Sequence, residues 1–383
     1  MHDQVRALRS EGHHVLVISG RPQSSESDQT AVIDIGIIEV PVSRWGKLDA
    51  SAPHDEYAAK GSTDLVIKAI KEFNPEVALQ VDWSALSLFL QLKQGGLNVP
   101  MAYLNYRVFS RTATGEDLSL VSSLEKQSMA TAALTVVLSR SDLAFLRDEL
   151  SGSGKVDVLL PALREDVRVL PQPADFSDRT LLGVELFISS RPYFTCCVRL
   201  SPEKSPEVFV ELIEALGEEG VAELGVTPLL IGAAQDEWAL RLKNRLRNAV
   251  KSSVIIESFL GPADLAQIYS KTRLNFHPPT YDAYGMTIIE AASQGAPSVA
   301  HDRSGAIGAS DLLLAGEGEI ILIDLSEPNS GQCSTKTADQ VRKVLGDHAR
   351  LHQVAEKAML KSRSYDEAAN AKELTRMILS YGM

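Results

Sequence analysis

Four charged side chains and one glycine-led helix start carry the chemistry this sequence offers. In CVRLSPEKSP, Arg199 ends a strand-like run and Lys204 follows five residues later, at the predicted entrance to the next helix, so both bases are expected at the carboxyl edge of a sheet. In HPPTYDAYGMTIIEAASQG, a strand is predicted to end at His277, a loop carries Asp282, and a helix begins near Gly285 with Glu290 one to two turns inside. The N–H groups of Gly285, Met286 and Thr287 lack helical partners at such a start. There the helix dipole amounts to roughly +0.5 charge, a setting that receives an anionic phosphate. An arginine meets a diphosphate through two parallel N–H donors, and a lysine adds a point charge. A carboxylate accepts two ribose hydroxyls but repels phosphate, which places Glu290 at the nucleoside end of such a ligand. Taken singly, each residue also has a plainer reading: Asp282 as a surface carboxylate, Glu290 as a helix carboxylate with a structural partner, Arg199 and Lys204 as solvated charges.

The elements that must position these groups follow from the pattern of apolar runs. The first half alternates helical stretches with short strand-like runs: VRALRSEG then HHVLVIS, DLVIKAIKEF then VALQVD, SALSLFLQLKQ then MAYLNY, and LEKQSMATA then LTVVLS. Such βα alternation predicts a parallel sheet. From Pro161 to Pro192 the order is replaced by a proline-punctuated stretch, read as the connection between domains. The alternation then restarts with YFTCCVRL, PEVFVELIEALGEEG, VTPLLIG, DEWALRLKNRLRNAV, SVIIESF, ADLAQIYSK, RLNFHP, MTIIEAASQG and APSVAHD, a series that predicts a doubly wound α/β domain. After ILIDL a loop-like segment, SEPNSGQCSTKT, leads to two predicted helices, the last near Asp366 to Ser380.

A chain of 383 residues is about two and a half times a ~150-residue domain unit, so two domains are expected. Hydrophobic residues at 44% and charged residues at 23% exclude a largely disordered chain. Fifty acids against 38 bases leave a net charge of −12, which removes any general attraction to nucleic acid or an anionic membrane; an anionic ligand must be met by a few local bases. Only three cysteines occur, without a disulfide pattern, and Cys196 and Cys197 are adjacent on a predicted strand, so they point to opposite faces and read as core residues. No apolar run approaches the ~18 residues of a membrane span, and a cytoplasmic location is expected. No G-x-x-x-x-G-K-S/T and no G-x-G-x-x-G after a strand is present, which argues against P-loop and dinucleotide-cofactor chemistry. No Asp-x-Asp pair occurs either, so no metal is expected to hold the phosphates.

In this order and on these elements, the residues resemble the family 4 retaining glycosyltransferases, glycosyl transferases group 1. The resemblance runs from GHHVLVIS to the final helix and is most specific from Arg199 to Gly305. The family's R-L-x-x-x-K element is matched by Arg199 to Lys204, and its E-x7-E element reads DAYGMTIIE, with Asp282 in place of the first Glu and Glu290 as the second. The resemblance implies an α/β GT-B fold, two doubly wound Rossmann-like domains facing a central cleft. The expected division is residues 1–185 on the acceptor side, 186–364 for the nucleotide sugar, and 365–383 as a helix returning to the first domain. It further implies that Arg199 and Lys204 bind the donor diphosphate. Asp282 and the amides after Tyr284, from Gly285, Met286 and Thr287, hold the sugar, and Glu290 holds the ribose. LLIGAA with Gly232 and the ESFLG run with Phe259 complete the donor residues.

Two departures stand beside the resemblance. Family members open with a strand and a glycine-rich loop, whereas this sequence starts within the following helix, with GHHV at 12–15, so the first strand of the N-domain is expected to be missing. The histidine that many relatives carry after an N-domain strand is replaced in PMAYLNYRVFSR by Asn105, Tyr106 and Arg107. Arg107 is read as a surface base, and His13, His14 and His277 as structural, with His277 lying close to the expected cleft. The function implied is a metal-independent, retaining transfer of a hexosyl group from a UDP- or GDP-linked sugar, used as co-substrate without a further cofactor, to an acceptor hydroxyl. The alternative is a nucleotide-sugar-binding pseudo-enzyme or regulatory subunit. Neither the acceptor nor the oligomeric state is read from the sequence.

Overall fold

Alternation of apolar runs with amphipathic ones builds parallel sheets covered by helices, because a strand buried on both faces must be apolar at nearly every position. The computed structural model describes residues 2–25, 30–43, 52–150, 155–168, 191–302, 306–325 and 335–382. The chain divides into two units, Met1–Leu159 with Ala368–Met383, and Leu160–Glu367. The boundary expected near residue 185 lies outside the described residues.

The first unit runs α1 (His2–Ser10), β1 (Val17–Pro22), β2 (Val32–Asp34), β3 (Ile37–Val42), α2 (Ala52–Gly61), α3 (Asp64–Phe73), β4 (Ala78–Val81), α4 (Leu86–Gln94), β5 (Met101–Asn105), α5 (Gly115–Thr131), β6 (Leu134–Val137), α6 (Arg140–Asp148) and β7 (Val156–Val158). Strands β4 to β7 form one parallel sheet in sequential order. A second sheet has the order β1-β3-β2, and within it β2 runs antiparallel to β3. This hairpin corrects the expectation of parallel pairing alone. AVIDIGIIEV is mostly apolar, and the chain reverses within it at Ile35–Gly36, beside Asp34. Strand β1 also lies later than HHVLVIS suggests, because its ladder to β3 begins only at Val17 opposite Ile37. Among the described residues, β1 and β4 each pair on one side only.

The second unit continues with α7 (Glu165–Arg168), β8 (Tyr193–Cys197), α8 (Pro206–Leu224), β9 (Thr227–Ile231), α9 (Glu237–Ala249), β10 (Val254–Ile256), α10 (Pro262–Ser270), β11 (Thr272–His277), α11 (Met286–Ser293), β12 (Ser298–His301), β13 (Ile321–Ile323), α12 (Thr335–Gly346) and α13 (His348–Arg363). The last helix, α14 (Glu367–Ser380), buries Ala371, Leu374 and Met377 with Ala7, Leu8 and Ala102 of the first unit's core. Three helices therefore follow β13 where two are predicted. Asp347 separates the first two, its carboxylate accepting the Arg350 N–H as an N-cap.

All six strands of the second unit are parallel, in the order β10-β9-β8-β11-β12-β13. The rings of Phe194, Phe209 and Phe276 meet beneath β8 and β11 with centroids 5.2–6.0 Å apart. Burying each such side chain contributes roughly 1.5–3 kcal/mol. This aromatic cluster fixes the two central strands whose carboxyl ends carry the charged residues.

Candidate functional site

The chain leaves β8 towards β9 on one side and leaves β11 towards β12 on the other, so the direction of winding reverses between these neighbours. A sheet of this kind opens a crevice at the carboxyl ends of the two strands where that reversal occurs. Lys204 and Asp282 follow these two strands, and this is how residues 78 positions apart come together.

Beyond β8, a single 3-10 turn over Pro202–Lys204 and a left-handed Ser205 reverse the backbone before Pro206 opens α8. The turn delivers the Lys204 ammonium 2.9 Å from Asp282 Oδ2, with both side chains less than one fifth exposed. Arg199 lies elsewhere: its guanidinium pairs with Glu203 at 2.9 Å and is 66% exposed. An exposed pair of this kind is worth about 0–1 kcal/mol, so an incoming anion can draw the arginine away at small cost.

Beyond β11, the backbone of Asp282 is pinned on both sides, its N–H donating to Ala306 O and its carbonyl accepting from Gly308 N, each at 3.0 Å. Gly308 permits this approach, since a Cβ there would stand 2.1 Å from the Ala283 carbonyl oxygen. Gly285 follows in the left-handed region, φ 84° and ψ 56°, which glycine adopts without strain, and α11 starts directly after it. The first-turn amides of Met286 and Thr287 have no carbonyl four residues back to bind.

His277 ends β11 and is 2% exposed. Its Nε2 lies 3.3 Å from Asp282 Oδ2 and its Nδ1 lies 3.3 Å from the Thr287 hydroxyl, so one imidazole links the loop carboxylate to the start of α11. Burial opposes ionisation of Asp282, but His277 and Lys204 outweigh it and hold the carboxyl well below the usual carboxylate range. Glu290, one turn into α11, is 7% exposed, and burial raises its pKa while Arg164 works against the rise and Asp166 adds to it. The opposite side of α11 is held by Gln294 donating to the Val167 carbonyl at 2.5 Å and by Arg363 donating to the Ser293 carbonyl. Tyr284 is 2% exposed, and its buried hydroxyl has no hydrogen-bond partner among the described residues. Gly232 follows β9, where an added Cβ would stand 2.4 Å from the Leu200 side chain, and Phe259, beyond β10, is 89% exposed.

The structure thus brings Lys204, Asp282, Gly285, Met286 and Thr287 into one cluster at the central carboxyl edge, with Glu290 on the same short helix. Arg199 is turned onto Glu203, and Phe259 stands in solvent. His277 is the site residue that sequence reasoning assigned to structure. The signal available was its place as the final residue of the strand leading to Asp282. Arg164 beside Glu290 carried no signal, since it comes from the connecting stretch 126 positions earlier. Among the described residues, no group of three or more His, Cys, Asp or Glu side chains gathers as metal ligands. No helix among them is long and apolar enough to cross a membrane.

Residues 191–347 match the family model for glycosyl transferases group 1. A search among curated proteins finds no match. Among solved structures, the chain is similar to sucrose-phosphate synthase from Thermosynechococcus elongatus, with TM-score 0.75 and 16% identity over 98% of this chain and 91% of that one. It is similar to an α,α-trehalose-phosphate synthase (UDP-forming) from Burkholderia xenovorans in complex with glucose-6-phosphate, with TM-score 0.71 and 12% identity over 99% and 96% of the two chains. It is also similar to HepE from Anabaena in complex with UDP-glucose, with TM-score 0.67 and 19% identity over 90% and 86%. The segment matched by the glycosyl transferases group 1 model, 191–347, holds Lys204 and the start of α11, and the chain has the GT-B fold.

Proposed function

We propose that this chain is a retaining glycosyltransferase that moves a hexosyl group from a nucleoside diphosphate sugar, UDP- or GDP-linked, to an acceptor hydroxyl. The observation that carries the reading is the meeting of Lys204 and Asp282 in front of the first amides of α11, at the point where the sheet reverses its winding. Relatives of the same fold whose structures contain UDP-glucose or belong to a UDP-forming synthase support the choice of donor class.

In this reading Lys204, Arg199 and the N–H groups of Met286 and Thr287 neutralise the diphosphate as the bond to the anomeric carbon breaks. Glu290 accepts the ribose hydroxyls, and Asp282 with the Gly285 turn faces the sugar. Gly232, Phe259 and Tyr284 line the rest of the donor site. The acceptor oxygen attacks from the face the diphosphate leaves, through an oxocarbenium-like transition state, and passes its proton to the departing phosphate oxygen. No protein nucleophile is required. Positive charge comes from side chains and backbone, so transfer is expected to proceed in the presence of a chelator. Each well-placed donor contributes on the order of 3 kcal/mol to such a leaving group.

One observation favours a second reading as a donor-binding regulatory protein: the strands of the first unit lie in two separate sheets. A thermal-shift screen of UDP- and GDP-sugars, followed by assays of donor hydrolysis and transfer, separates the two. Stabilisation with turnover supports the transferase, stabilisation without hydrolysis or transfer supports the regulatory protein, and stabilisation by none of the donors removes both.

A further inference from the structure

The Asp282 carboxylate is fully engaged. Its Oδ2 receives the Lys204 ammonium at 2.9 Å and faces His277 Nε2 at 3.3 Å, and its Oδ1 faces the Tyr284 N–H at 3.4 Å. A carboxylate oxygen has about two lone-pair sites; Lys204 takes one on Oδ2 and the His277 ring crowds the other at 3.3 Å, which limits the approach of a sugar hydroxyl while Lys204 is bound. Lys204, in turn, cannot present its full charge to a diphosphate while it is neutralised by Asp282. The two partners differ in freedom: lysine sits at the end of a four-carbon stem, whereas His277 is 2% exposed at the end of β11 and faces the Thr287 hydroxyl through Nδ1.

We propose that Asp282 is the resting counter-ion of Lys204 and that His277 is the positioning residue about which it turns, so that a diphosphate enters by displacing the carboxylate from the lysine and thereby frees Oδ2 for the sugar. The proposal rests on the donor-site reading above and adds an exchange of partners to it. The exchange keeps the Lys204 ammonium paired in both states, and the released carboxylate keeps the His277 ring beside it. It also couples the two halves of donor recognition: the sugar-facing carboxylate becomes available only when the diphosphate is seated.

Calorimetric titration of the full chain with UDP, GDP and inorganic pyrophosphate tests it, together with donor turnover. Asp282→Asn removes the competing charge, and it is expected to bind the diphosphate roughly tenfold tighter than the unmodified protein while turning over donor at least tenfold more slowly. Asp282→Ser, which shortens the side chain as well, is expected to tighten binding in the same way if the asparagine variant fails to fold. His277→Gln is expected to leave diphosphate affinity within about threefold and to lower turnover; a merely structural histidine would lower both together with the melting temperature. Diphosphate binding that is unchanged or weaker in both Asp282 variants overturns the exchange, and normal turnover in His277→Gln overturns the positioning role. Tightened pyrophosphate binding without UDP or GDP binding keeps the exchange and removes the nucleotide-sugar reading. Normal UDP binding that Asp282→Asn fails to tighten removes the exchange alone.

Discussion

Asp82 with Glu125 in the first unit and Asp282 with Glu290 in the second lie largely out of solvent beyond the strands of parallel sheets, and the two sets are held in opposite ways. In the first unit, Asp82 follows β4 and accepts the Tyr106 N–H at 3.2 Å, while Glu125 on α5 accepts the Phe109 N–H at 2.7 Å and the Ser110 N–H and hydroxyl. The donors are neutral, and burial prevails: the Asp82 carboxyl is pushed up to about 7 and that of Glu125 is raised as well. In the second unit, burial acts on Asp282 in the same direction, but Lys204 and His277 reverse it. Glu290, eight positions later on the same loop and helix, stays raised by burial, with Arg164 working against the rise and Asp166 adding to it. Burial alone therefore does not set the proton affinity of these carboxylates; the charge of the groups beside them decides the direction. Asp82 and Glu125 fasten the Tyr106–Ser110 loop, whereas Asp282 and Glu290 form a pair whose proton affinities are set apart, the pattern of groups given different tasks in one site.

The largest effect expected from breaking this contrast is at Lys204. Lys204→Ala should lower transfer by a factor of about 10²–10³ and leave Asp282 buried without its cation, so the acid-side shoulder of the stability profile should move upwards in pH. A transfer rate within a few fold of the unmodified protein would remove the lysine from the leaving-group site. Next in size is the backbone hold on Asp282: Gly308→Ala should cost about 1–3 kcal/mol in chemical denaturation, because its Cβ would collide with the Ala283 carbonyl oxygen.

The pH dependence of the two units should have opposite signs. Asp82 has a native pKa above its unfolded value, so the native state holds the extra proton and stability falls as pH rises from about 4 to about 7. Asp282 has a depressed native pKa, so its contribution is present above the ordinary carboxylate pKa and is lost only as strong acid is approached. Asp82→Asn keeps an oxygen for the Tyr106 N–H and should flatten the first slope, raising the melting temperature at pH 8 by roughly 5 °C relative to its change at pH 5. An equal change at both pH values would show that Asp82 does not titrate between them. The smallest effect belongs to Arg199→Ala, whose exposed pair with Glu203 should contribute within about 0.5 kcal/mol to stability, although UDP affinity should fall several fold.

Much of the second unit was legible because its strands carry apolar residues at consecutive positions and its helices begin at recognisable caps. Asp236, which accepts the Trp238 and Ala239 N–H groups at the start of α9, is one such cap. The β2–β3 hairpin was not legible, since its reversal falls inside a mostly apolar run in which Asp34 and Gly36 are the turn-forming residues. Asp82 gave no warning either. Its backbone adopts φ 54° and ψ 169°, a conformation costing on the order of 1–3 kcal/mol that only the surrounding packing sustains. Nor did spacing separate Arg199 from Lys204, because which of two nearby bases reaches a ligand depends on how the 3-10 turn at Pro202 rotates the chain.

The order of elements, the residue types at the carboxyl ends of β8 and β11, and the glycine that starts α11 were fixed by the amino-acid sequence, because each rests on a local preference spanning a few residues. Which groups share one carboxylate was decided only when the sheet set β8 beside β11. Lys204 and Asp282, 78 positions apart, meet beside His277 because β8 pairs with β11, and a contact that depends on nonlocal pairing leaves no periodicity in the chain to be read.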